Sequence, residues 1–430
     1  MLDVNLIRKD PDMVRDLLSR KGFEVDFSEY LEKDRARRDL IFRTEQLKAE
    51  KNKVSALVPV LRKEGRDVSD TLARMRQVAD DIRDGEAQMA ALDAWIRDFL
   101  DALPNLPDPS LPAGGKENNR VVRVFGTAPV FDFPPLHHVD LAESLGVVDY
   151  PRGARLGGSG HWVYRRDGAR LEWALLNYFI EAHLADGYEF MLPPHLLTWA
   201  CGYTAGQFPK FRDDVYQLRS DDTPDGFTHF ILPTAETALV NLHRDEILDE
   251  EVLPLRYCAY TPCYRKEAGS YRSEERGMIR GHQFNKIEMF QYVRPEDADA
   301  ALEELVGKAE RLVQGLGLHH RVSRLAAGDC SAAMRRTYDI EVWIPSMNDF
   351  KEVSSASDAG DYQARRGNIR FRRKEAGKPE FVHTLNASGL ATSRIFPAIL
   401  ECNQDASGRV RIPEVLRKWM GGQEFLARPS

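Results

Sequence analysis

The chain has 430 residues, enough for two or three domains with a large core, which excludes a peptide or a single small module. Its net charge of −7, with 43% hydrophobic and 30% charged residues, excludes a disordered chain and confines any nucleic-acid-binding surface to a local patch. No apolar run reaches the roughly 18 residues that cross a bilayer, and the N-terminal MLDVNLIRKDPDMV lacks the apolar core of a signal peptide, so we expect a cytoplasmic protein.

The N-terminal region begins with helical signals. Asp10 before Pro11 is typical of a helix start, and this short helix is expected to end near Gly22. A much longer helix is predicted from about Ser28 to Lys63, because aliphatic residues recur there every seven positions. These residues are Leu40, Leu47, Val54 and Leu61.

A second long helix is predicted after Gly65, with Ser69 as its N-terminal cap. Its apolar residues alternate by three and four positions and include Met75, Val78, Ile82, Met89, Leu92, Ile96, Phe99 and Leu103. Each apolar stripe is too narrow to bury anything but another stripe, so an antiparallel coiled-coil arm is predicted over about residues 28–103. Pro59 is expected to kink the first helix of this arm.

The first arm helix is basic. Between Lys33 and Lys53 the basic residues outnumber the acidic ones, eight to four. Such a surface attracts a phosphate backbone. Charges of this kind also merely solvate a coiled coil, and the sequence favours neither interpretation over the other.

Beyond the arm the composition changes to PNLPDPSLPAGGKENN, which marks a linker. We expect an N-terminal domain over residues 1–106, a linker over 107–126 and a catalytic domain over 127–430. The last combines amphipathic helices at Gly168–Asp186 and Pro295–Leu316 with strands such as THFILPT, VLPLRYCAYTP and Asp339–Ile344. The fold class is therefore α+β with a mostly antiparallel sheet.

The cysteines indicate no disulfide framework and no zinc site. They are five in number, an odd count, and form no CxxC pair. Cys258 and Cys263 lie close together, but in an apparent apolar strand. Buried free thiols are the preferred interpretation for all of them: Cys201, Cys258, Cys263, Cys330 and Cys402.

Three segments combine arginine, carboxylate and small residues, as phosphate handling requires. The first, CYRKEAGSYRSEERGMIRGHQFNKIEMFQY, reads as a hairpin with Arg265 and Glu267 on one face of its first strand and Phe284 and Glu288 on its second. Arg265 suits a phosphate, Glu267 an exocyclic amine and Phe284 a base. A charged hairpin held by structural ion pairs is the alternative.

The second segment, TLNASGLATSRIFPAILECNQ, places small residues before Arg394, which can clamp a terminal phosphate. The third is a pair, PTAETALVNLHRDE and FKEVSSASDAGDYQARR. In it Thr234 and Glu236 suit an ammonium group, and Glu352 with Ser355 suits Mg²⁺ beside phosphates. No Walker loop and no GxGxxG is present, so side chains on a sheet would hold the nucleotide.

In order and composition these segments resemble the bacterial-type seryl-tRNA synthetase family of class II aminoacyl-tRNA synthetases, along essentially the whole chain. GYEFMLPPHL with Pro194 resembles the first family motif, which forms a dimer interface; YRKEAGS through FNKIEMF resembles the second and SGLATSR the third. The N-terminal hairpin resembles the arm that grips the long variable stem of serine tRNA.

The resemblance implies an ATP-dependent ligase of protein biosynthesis that forms seryl-adenylate and transfers serine to the 3′ end of serine tRNA, with Mg²⁺ accompanying ATP, no zinc, and a homodimeric assembly. Arg265 and Arg394 would be catalytic. The implied serine-binding residues are Thr234, Glu236, Arg265, Glu288, Asn386 and Ser388. The implied residues for ATP are Arg265, Lys266, Glu267, Phe284, Glu352, Val353, Ser354, Ser355 and Arg394, with Glu352 and Ser355 also for Mg²⁺. On the arm, Arg35, Arg38, Lys48 and Lys51 would contact tRNA.

The sequence departs from the family pattern near the chemistry. Ala387 and Ser393 stand where the family has glycine, and the loop Arg272–Glu275 reads RSEE instead of GRDT. These changes indicate a specialised copy, resistant to a seryl-adenylate mimic or feeding seryl-tRNA into a biosynthetic pathway. Two alternatives are a synthetase homologue that loads a carrier protein, which the intact arm disfavours, and an inactive RNA-binding module, which the retained charged residues disfavour.

Overall fold

The computed structural model describes residues 1–219, 227–267, 277–375 and 377–428. The chain divides into two compact units. One comprises Leu2–Leu18 and Phe23–Pro104, and the other comprises Met1, Ser19–Gly22 and Asn105–Ser430. None of the helices within the described ranges is both long enough and apolar enough to cross a membrane.

The N-terminal helices are α1 (Val4–Lys9), α2 (Pro11–Arg20), α3 (Ser28–Lys63) and α4 (Ser69–Ala102). The ion pairs Arg37–Asp93 and Lys48–Glu86 join α3 to α4 in antiparallel order, which confirms the predicted arm. Helix α1 has no counterpart in the sequence prediction.

The ends of the two arm helices follow from local chemistry. Helix α3 continues past Pro59 to Lys63 without interruption. The prediction that Ser69 caps α4 is wrong, because Ser69 is already helical and the Asp67 carboxylate accepts hydrogen bonds from its backbone nitrogen at 2.9 Å and from its hydroxyl at 2.6 Å. Gly85 faces α3, where a Cβ would lie 2.9 Å from Thr44 Oγ1, so glycine at this position allows the two helices to approach closely.

The larger unit contains eight helices within its described residues. They are α5 (His138–Leu145), α6 (Tyr150–Gly157), α7 (Arg166–Ala185), α8 (Trp199–Thr204), α9 (Glu236–Leu239), α10 (Ala298–Gly315), α11 (Tyr362–Gly367) and α12 (Thr392–Cys402).

Its main sheet has eight strands in the order β1-β11-β12-β13-β16-β10-β9-β4, antiparallel except for the β4–β9 pair. In chain order these strands are β1 (Arg120–Phe125), β4 (Glu189–Met191), β9 (Leu255–Tyr264), β10 (Gln283–Val293), β11 (His320–Arg324), β12 (Arg336–Ile344), β13 (Asp349–Gly360) and β16 (His383–Ala391). The smaller sheets comprise β2 (Val148–Asp149), β3 (Val163–Tyr164), β5 (Leu196–Thr198), β6 (Gln217–Arg219), β7 (Phe227–Ile231), β8 (Ile247–Asp249), β14 (Arg370–Arg372), β15 (Glu380–Phe381), β17 (Val410–Arg411) and β18 (Phe425–Leu426).

Helices α7, α10 and α12 cover the main sheet and form the core with it. Leu175 of α7, Leu305 of α10 and Ile399 of α12 are fully buried in one cluster with the strand residues Met289 and Ile340. Burying this apolar surface is the main stabilising term of the unit. The predicted α+β class with a mostly antiparallel sheet and a helical arm is confirmed.

An ion pair with one buried partner stabilises the N-terminal unit and yields a stability prediction. Asp34 is 3% exposed and accepts hydrogen bonds from Arg8 Nε at 2.8 Å and Nη2 at 2.7 Å. Replacing Asp34→Asn should lower the free energy of unfolding by about 1–3 kcal/mol, because Arg8 loses its countercharge. Urea denaturation of the full chain measures this, with Asp39→Asn, an exposed acid on the same helix, as the control.

The same pair sets a pH dependence. The Arg8 hydrogen bonds hold the pKa of Asp34 below its ordinary value, so the contribution is complete above the unfolded-state pKa and is lost as pH falls through the folded-state pKa. The difference in stability between wild type and Asp34→Asn should therefore shrink on acidification. An equal difference at pH 7 and pH 3 would contradict the assignment.

Candidate active site

One pocket collects most of the charged residues predicted for the nucleotide. It opens over β10, β13 and the start of α12. Its lining residues are Arg265, Glu267, Ile279, Arg280, Gly281, Phe284, Lys286, Glu352, Val353, Ser388, Ala391, Ser393 and Arg394.

Arg265 and Glu267 enter this pocket from a segment beyond β9. The prediction that both lie on one face of the strand is wrong, because β9 ends at Tyr264 and Glu267 adopts a left-handed φ of 49°. The Arg265 guanidinium lies over the Phe284 ring, 5.2 Å from its centroid. Glu267 accepts a hydrogen bond from Arg280 Nη1 at 2.5 Å. The chain turns off the sheet here, which brings both side chains to the pocket.

Strand β10 contributes three side chains by simple alternation. Phe284, Lys286 and Glu288 are two residues apart, so they share one face of the strand. Burial increases along this row, from half-buried Phe284 to Lys286 at 5% and Glu288 at 0% exposure. The strand thus leads from an aromatic surface to a buried carboxylate.

Arg394 lies in the first turn of α12. Its Nη1 donates to the Glu352 carbonyl oxygen at 2.7 Å and its Nε to the Ile279 carbonyl oxygen at 3.2 Å. The Glu352 carboxylate also lies 3.6 Å from Arg394 Nη1. Two backbone acceptors from different segments therefore fix the guanidinium, which makes its position in the pocket well defined.

The inner end of the pocket is a buried polar cluster around Glu288. Thr234 Oγ1 donates to Glu288 Oε2 at 2.9 Å, and Asn386 Nδ2 donates to Glu288 Oε1 at 3.3 Å. Lys286 pairs with the Glu288 carboxylate, and its Nζ lies 2.7 Å from Thr234 Oγ1. These partners compensate the desolvation of a fully buried carboxylate.

Glu236 adjoins this cluster. Its Oε1 accepts a hydrogen bond from Gln363 Nε2 at 2.8 Å, and Gln363 Oε1 in turn accepts from Thr384 Oγ1 at 2.7 Å. Burial, and then the negative charge of Glu288, raise the pKa of Glu236 to about 7. The two carboxyl groups are thus close enough to interact, as a site for an ammonium group requires.

A β-bulge in β13 creates the candidate metal ligands. Opposite β12, Asp339 faces Ser355 and Glu341 faces Glu352, with the register shift between Ile340 and Glu341. Glu352 and Ser355 are three residues apart, yet the extra residue places them on one face. Asp339 Oδ1 is buried with no hydrogen-bond partner among the described residues, and burial followed by the Glu352 charge raises the pKa of Asp339 well above its ordinary value. Oxygen donors of this kind suit Mg²⁺.

The remaining predicted residues occupy different places. Val353 and Ser388 line the pocket, whereas the Ser354 hydroxyl is buried and donates to the Ser388 carbonyl oxygen at 2.6 Å. Lys266 Nζ extends to the Asp213 carbonyl oxygen at 3.1 Å, and Lys266 does not line the pocket. Ser355 lies on β13 but is not among the residues that line the pocket. Two departures from the family pattern differ in place, since Ala387 is fully buried and Ser393 lines the pocket.

The predicted arm residues all lie on α3. Arg35 and Lys51 are exposed. Arg38 is 54% exposed with its Nε 3.2 Å from Asp34 Oδ2, and Lys48 pairs with Glu86 of α4 at 2.9 Å. The loop Arg272–Glu275 lies outside the described residues.

Sequence reasoning missed several residues of this site. Lys286 could have been found, because it alternates with Phe284 and Glu288 on a strand that was already predicted. Gln363 lies in the segment FKEVSSASDAGDYQARR and Asp339 in the predicted strand Asp339–Ile344, but their approach to the site depends on strand and helix neighbours distant in sequence.

Comparison with known proteins agrees with this geometry. A model of the seryl-tRNA synthetase N-terminal domain matches residues 1–107, and a model of the class II tRNA synthetase core domain (G, H, P, S and T) matches residues 218–403. A serine–tRNA ligase 2 of Clostridium acetobutylicum is 59% identical over 98% of this chain and 99% of its own. The chain belongs to the seryl-tRNA synthetase family.

Further relatives extend the likeness across species. A serine–tRNA ligase of Nitratidesulfovibrio vulgaris is 44% identical over 99% of each chain. The crystal structure of a Pyrococcus horikoshii seryl-tRNA synthetase, complexed with ATP, matches with a TM-score of 0.91 and 34% identity over 100% of both chains. The resemblance recognised from the sequence motifs is thus confirmed, and the chain is a class II aminoacyl-tRNA synthetase.

The buried Lys286–Glu288 pair supports a prediction that is independent of activity. Lys286→Met leaves the Glu288 carboxylate buried without a cation and should lower the free energy of unfolding by about 3–5 kcal/mol. The double variant Lys286→Met/Glu288→Met should recover much of that loss, because both charges are then removed. Urea denaturation of the wild type, the two single variants Lys286→Met and Glu288→Met, and the double variant tests this prediction. If the two single effects on the free energy of unfolding simply add in the double variant, the prediction is wrong.

Proposed function

We propose that this synthetase binds ATP in the arginine-lined pocket and L-serine in the buried cluster around Glu288, and joins them as seryl-adenylate before charging serine tRNA. The observation that carries the proposal is the continuity of the two sites: Lys286 lines the nucleotide pocket and contacts Thr234 and Glu288. An amino acid held at Glu288 therefore faces the nucleotide directly.

The first step requires that the reactants are positioned and that the charge on the phosphates is stabilised, and it requires no general base. The serine carboxylate, already ionised, attacks the α-phosphorus of ATP; the new carboxyl oxygen–phosphorus bond forms as the bond to pyrophosphate breaks. Arg265, held over the Phe284 ring, would bridge the carboxylate and the α-phosphate, and Arg394 would stabilise the departing pyrophosphate. Adenine would stack on Phe284, with Glu267 as acceptor for its amino group.

Mg²⁺ is proposed to accompany ATP. Glu352 and Ser355 would hold it, since the bulge in β13 places both on one face and Asp339, whose carboxyl Oδ1 is buried, lies opposite Ser355. When bound, the ion would neutralise charge on the phosphates. Val353 belongs to the same wall of the pocket.

Serine selectivity is proposed to depend on the hydroxyl group. Alanine and glycine are smaller than serine and fit wherever serine does. Their binding is weakened only because they lack the hydroxyl group that would donate to the buried Glu288 carboxylate. Thr234, Asn386 and Ser388 would complete the binding of the amino acid, with Glu236 for its ammonium group. Threonine must be excluded by shape.

The second step transfers serine to RNA. The terminal ribose hydroxyl of serine tRNA attacks the activated carbonyl, and AMP leaves. Arg35, Arg38 and Lys51 are exposed on α3 and are proposed to contact the tRNA backbone. Lys48 is the weaker candidate of the group, because it already pairs with Glu86.

A homodimer is proposed for the assembled enzyme. The segment that resembles the family's dimer motif exposes large apolar side chains, with Leu192 70% and Leu196 54% exposed. Sedimentation should give a mass near twice 48.9 kDa at micromolar concentration.

We also propose a cytoplasmic location and retain the domain limits 1–106, 107–126 and 127–430.

Ser393 and Ala387 are proposed to mark a specialised copy. Ser393 places a hydroxymethyl group at the pocket wall, and Ala387 adds a methyl group to the buried core next to Ser388 in the chain. The relative from Clostridium acetobutylicum is itself numbered as a second ligase. Inhibition by a seryl-adenylate mimic should be weaker than for a synthetase with glycine at both positions, and Ser393→Gly should strengthen it. Equal inhibition of the two enzymes would contradict the hypothesis that this copy is resistant to the mimic.

The decisive experiment is transfer of labelled serine to bulk tRNA with ATP and Mg²⁺, compared with alanine and threonine. Serine-specific charging is expected, and Arg394→Ala should reduce it by about a hundredfold or more, because one charged contact to the leaving group is lost. Adenylate formation without charging would instead favour a carrier protein as the acceptor. Loss of both would favour an inactive RNA-binding module.

The raised pKa of Glu236 yields a pH dependence. An ammonium group binds the ionised carboxylate, and Glu236 ionises only as pH rises through about 7. The KM for serine in ATP–pyrophosphate exchange should therefore fall between pH 6 and pH 8. Glu236→Gln removes the titrating group and should flatten this profile while raising the KM; an unchanged profile would show that another group titrates.

A further inference from the structure

Helix α7 lies behind the active site and presents two buried polar side chains toward it. Glu172 is 3% exposed and His183 is 0% exposed. They are eleven residues apart, close to three full helical turns, so they point from the same face of the helix. Neither residue lines the nucleotide pocket or contacts the serine cluster.

Glu172 bonds to both elements that hold the nucleotide. Its Oε1 accepts from Asn285 Nδ2 at 2.7 Å and from Thr392 Oγ1 at 2.6 Å. Asn285 stands between Phe284 and Lys286 on β10, and Thr392 begins α12 two residues before Arg394. One carboxylate oxygen thus joins the strand that carries the aromatic surface to the helix that carries the arginine.

His183 bonds to the segment that carries Ser388, a residue proposed for serine that also lines the nucleotide pocket. Its Nε2 lies 2.5 Å from the carbonyl oxygen of Gly389, the residue after Ser388. A carbonyl oxygen only accepts, so Nε2 must carry the proton. Burial lowers the pKa of His183 to about 4, which keeps the ring neutral and preserves that tautomer at physiological pH.

We propose that α7 positions the two halves of the active site separately. Glu172 fixes the positions of Phe284 and Arg394, the pair proposed to bind the nucleotide and here called the clamp. His183 fixes the position of the segment at Ser388 in the proposed serine site. Both are positioning residues, because they act through Asn285, Thr392 and Gly389. This inference rests on the proposed function, since it assumes that ATP and serine occupy the sites described above.

A double comparison tests the proposal by ATP–pyrophosphate exchange on the full-length enzyme. Glu172→Leu should raise the KM for ATP about tenfold and leave the KM for serine within about twofold, because small displacements of a clamp weaken binding locally. His183→Leu should do the reverse. Each variant is the matched control for the other, since both replace a buried polar side chain on one face of one helix.

Conservative variants separate positioning from loss of stability. Glu172→Gln keeps an acceptor at Oε1, and His183→Gln keeps a donor near the Nε2 position, so both should retain KM values near those of wild type. Thr392→Val removes the hydroxyl that bonds to Glu172 and should raise the KM for ATP in the same direction as Glu172→Leu. It supplies the test if Glu172→Leu does not fold.

The outcomes distinguish this inference from the proposed function. If Arg394→Ala does not impair ATP use, the assignment of the nucleotide site fails. If Arg394→Ala impairs it while Glu172→Leu and Thr392→Val leave the KM for ATP unchanged, only the role of Glu172 fails. Equal effects of Glu172→Leu and His183→Leu on both KM values would overturn the separate positioning.

Discussion

Glu288 has no exposed surface and lies in the central strands of the main sheet, where an isolated carboxylate would be strongly destabilising. Lys286, two residues earlier on the same face of β10, supplies the compensating cation, and Thr234 and Asn386 supply hydrogen bonds. These partners compensate the desolvation of the buried charge, and the proposed serine site depends on them.

The position of that cluster depends on the order of strands. Strand β10 lies between β9 and β16, so Asn386 of β16 reaches Glu288 from a segment almost a hundred residues later in the chain. Strand β13 follows on the far side of β16 and contributes Glu352 to the pocket. Strands β10, β13 and β16 thus bring together groups that no local sequence pattern connects.

The arm and the catalytic unit follow different physical rules. In the arm, a narrow apolar seam and ion pairs between α3 and α4 suffice, and most side chains remain in solvent. In the catalytic unit, buried polar groups find partners on neighbouring elements, as Glu172 Oε1 and His183 Nε2 do. A helix that satisfies buried polar groups on its neighbours also fixes their geometry. A two-helix arm that packs only along a narrow seam leaves the rest of its surface available for a partner.

The sequence by itself determined the α3–α4 arm to within a residue at both ends of α3, because a heptad pattern bounded by glycine is a local signal. Through family motifs it also predicted site roles for Arg265, Phe284, Glu288 and Arg394, which the structure brings to one pocket or to the buried cluster beside it. Only the tertiary structure decided that Arg265 and Glu267 lie beyond β9, since the end of that strand depends on the turn taken by the backbone. It alone decided that a bulge aligns Glu352 with Ser355, and that Glu172 and His183 support the site, because both depend on which elements become neighbours after folding.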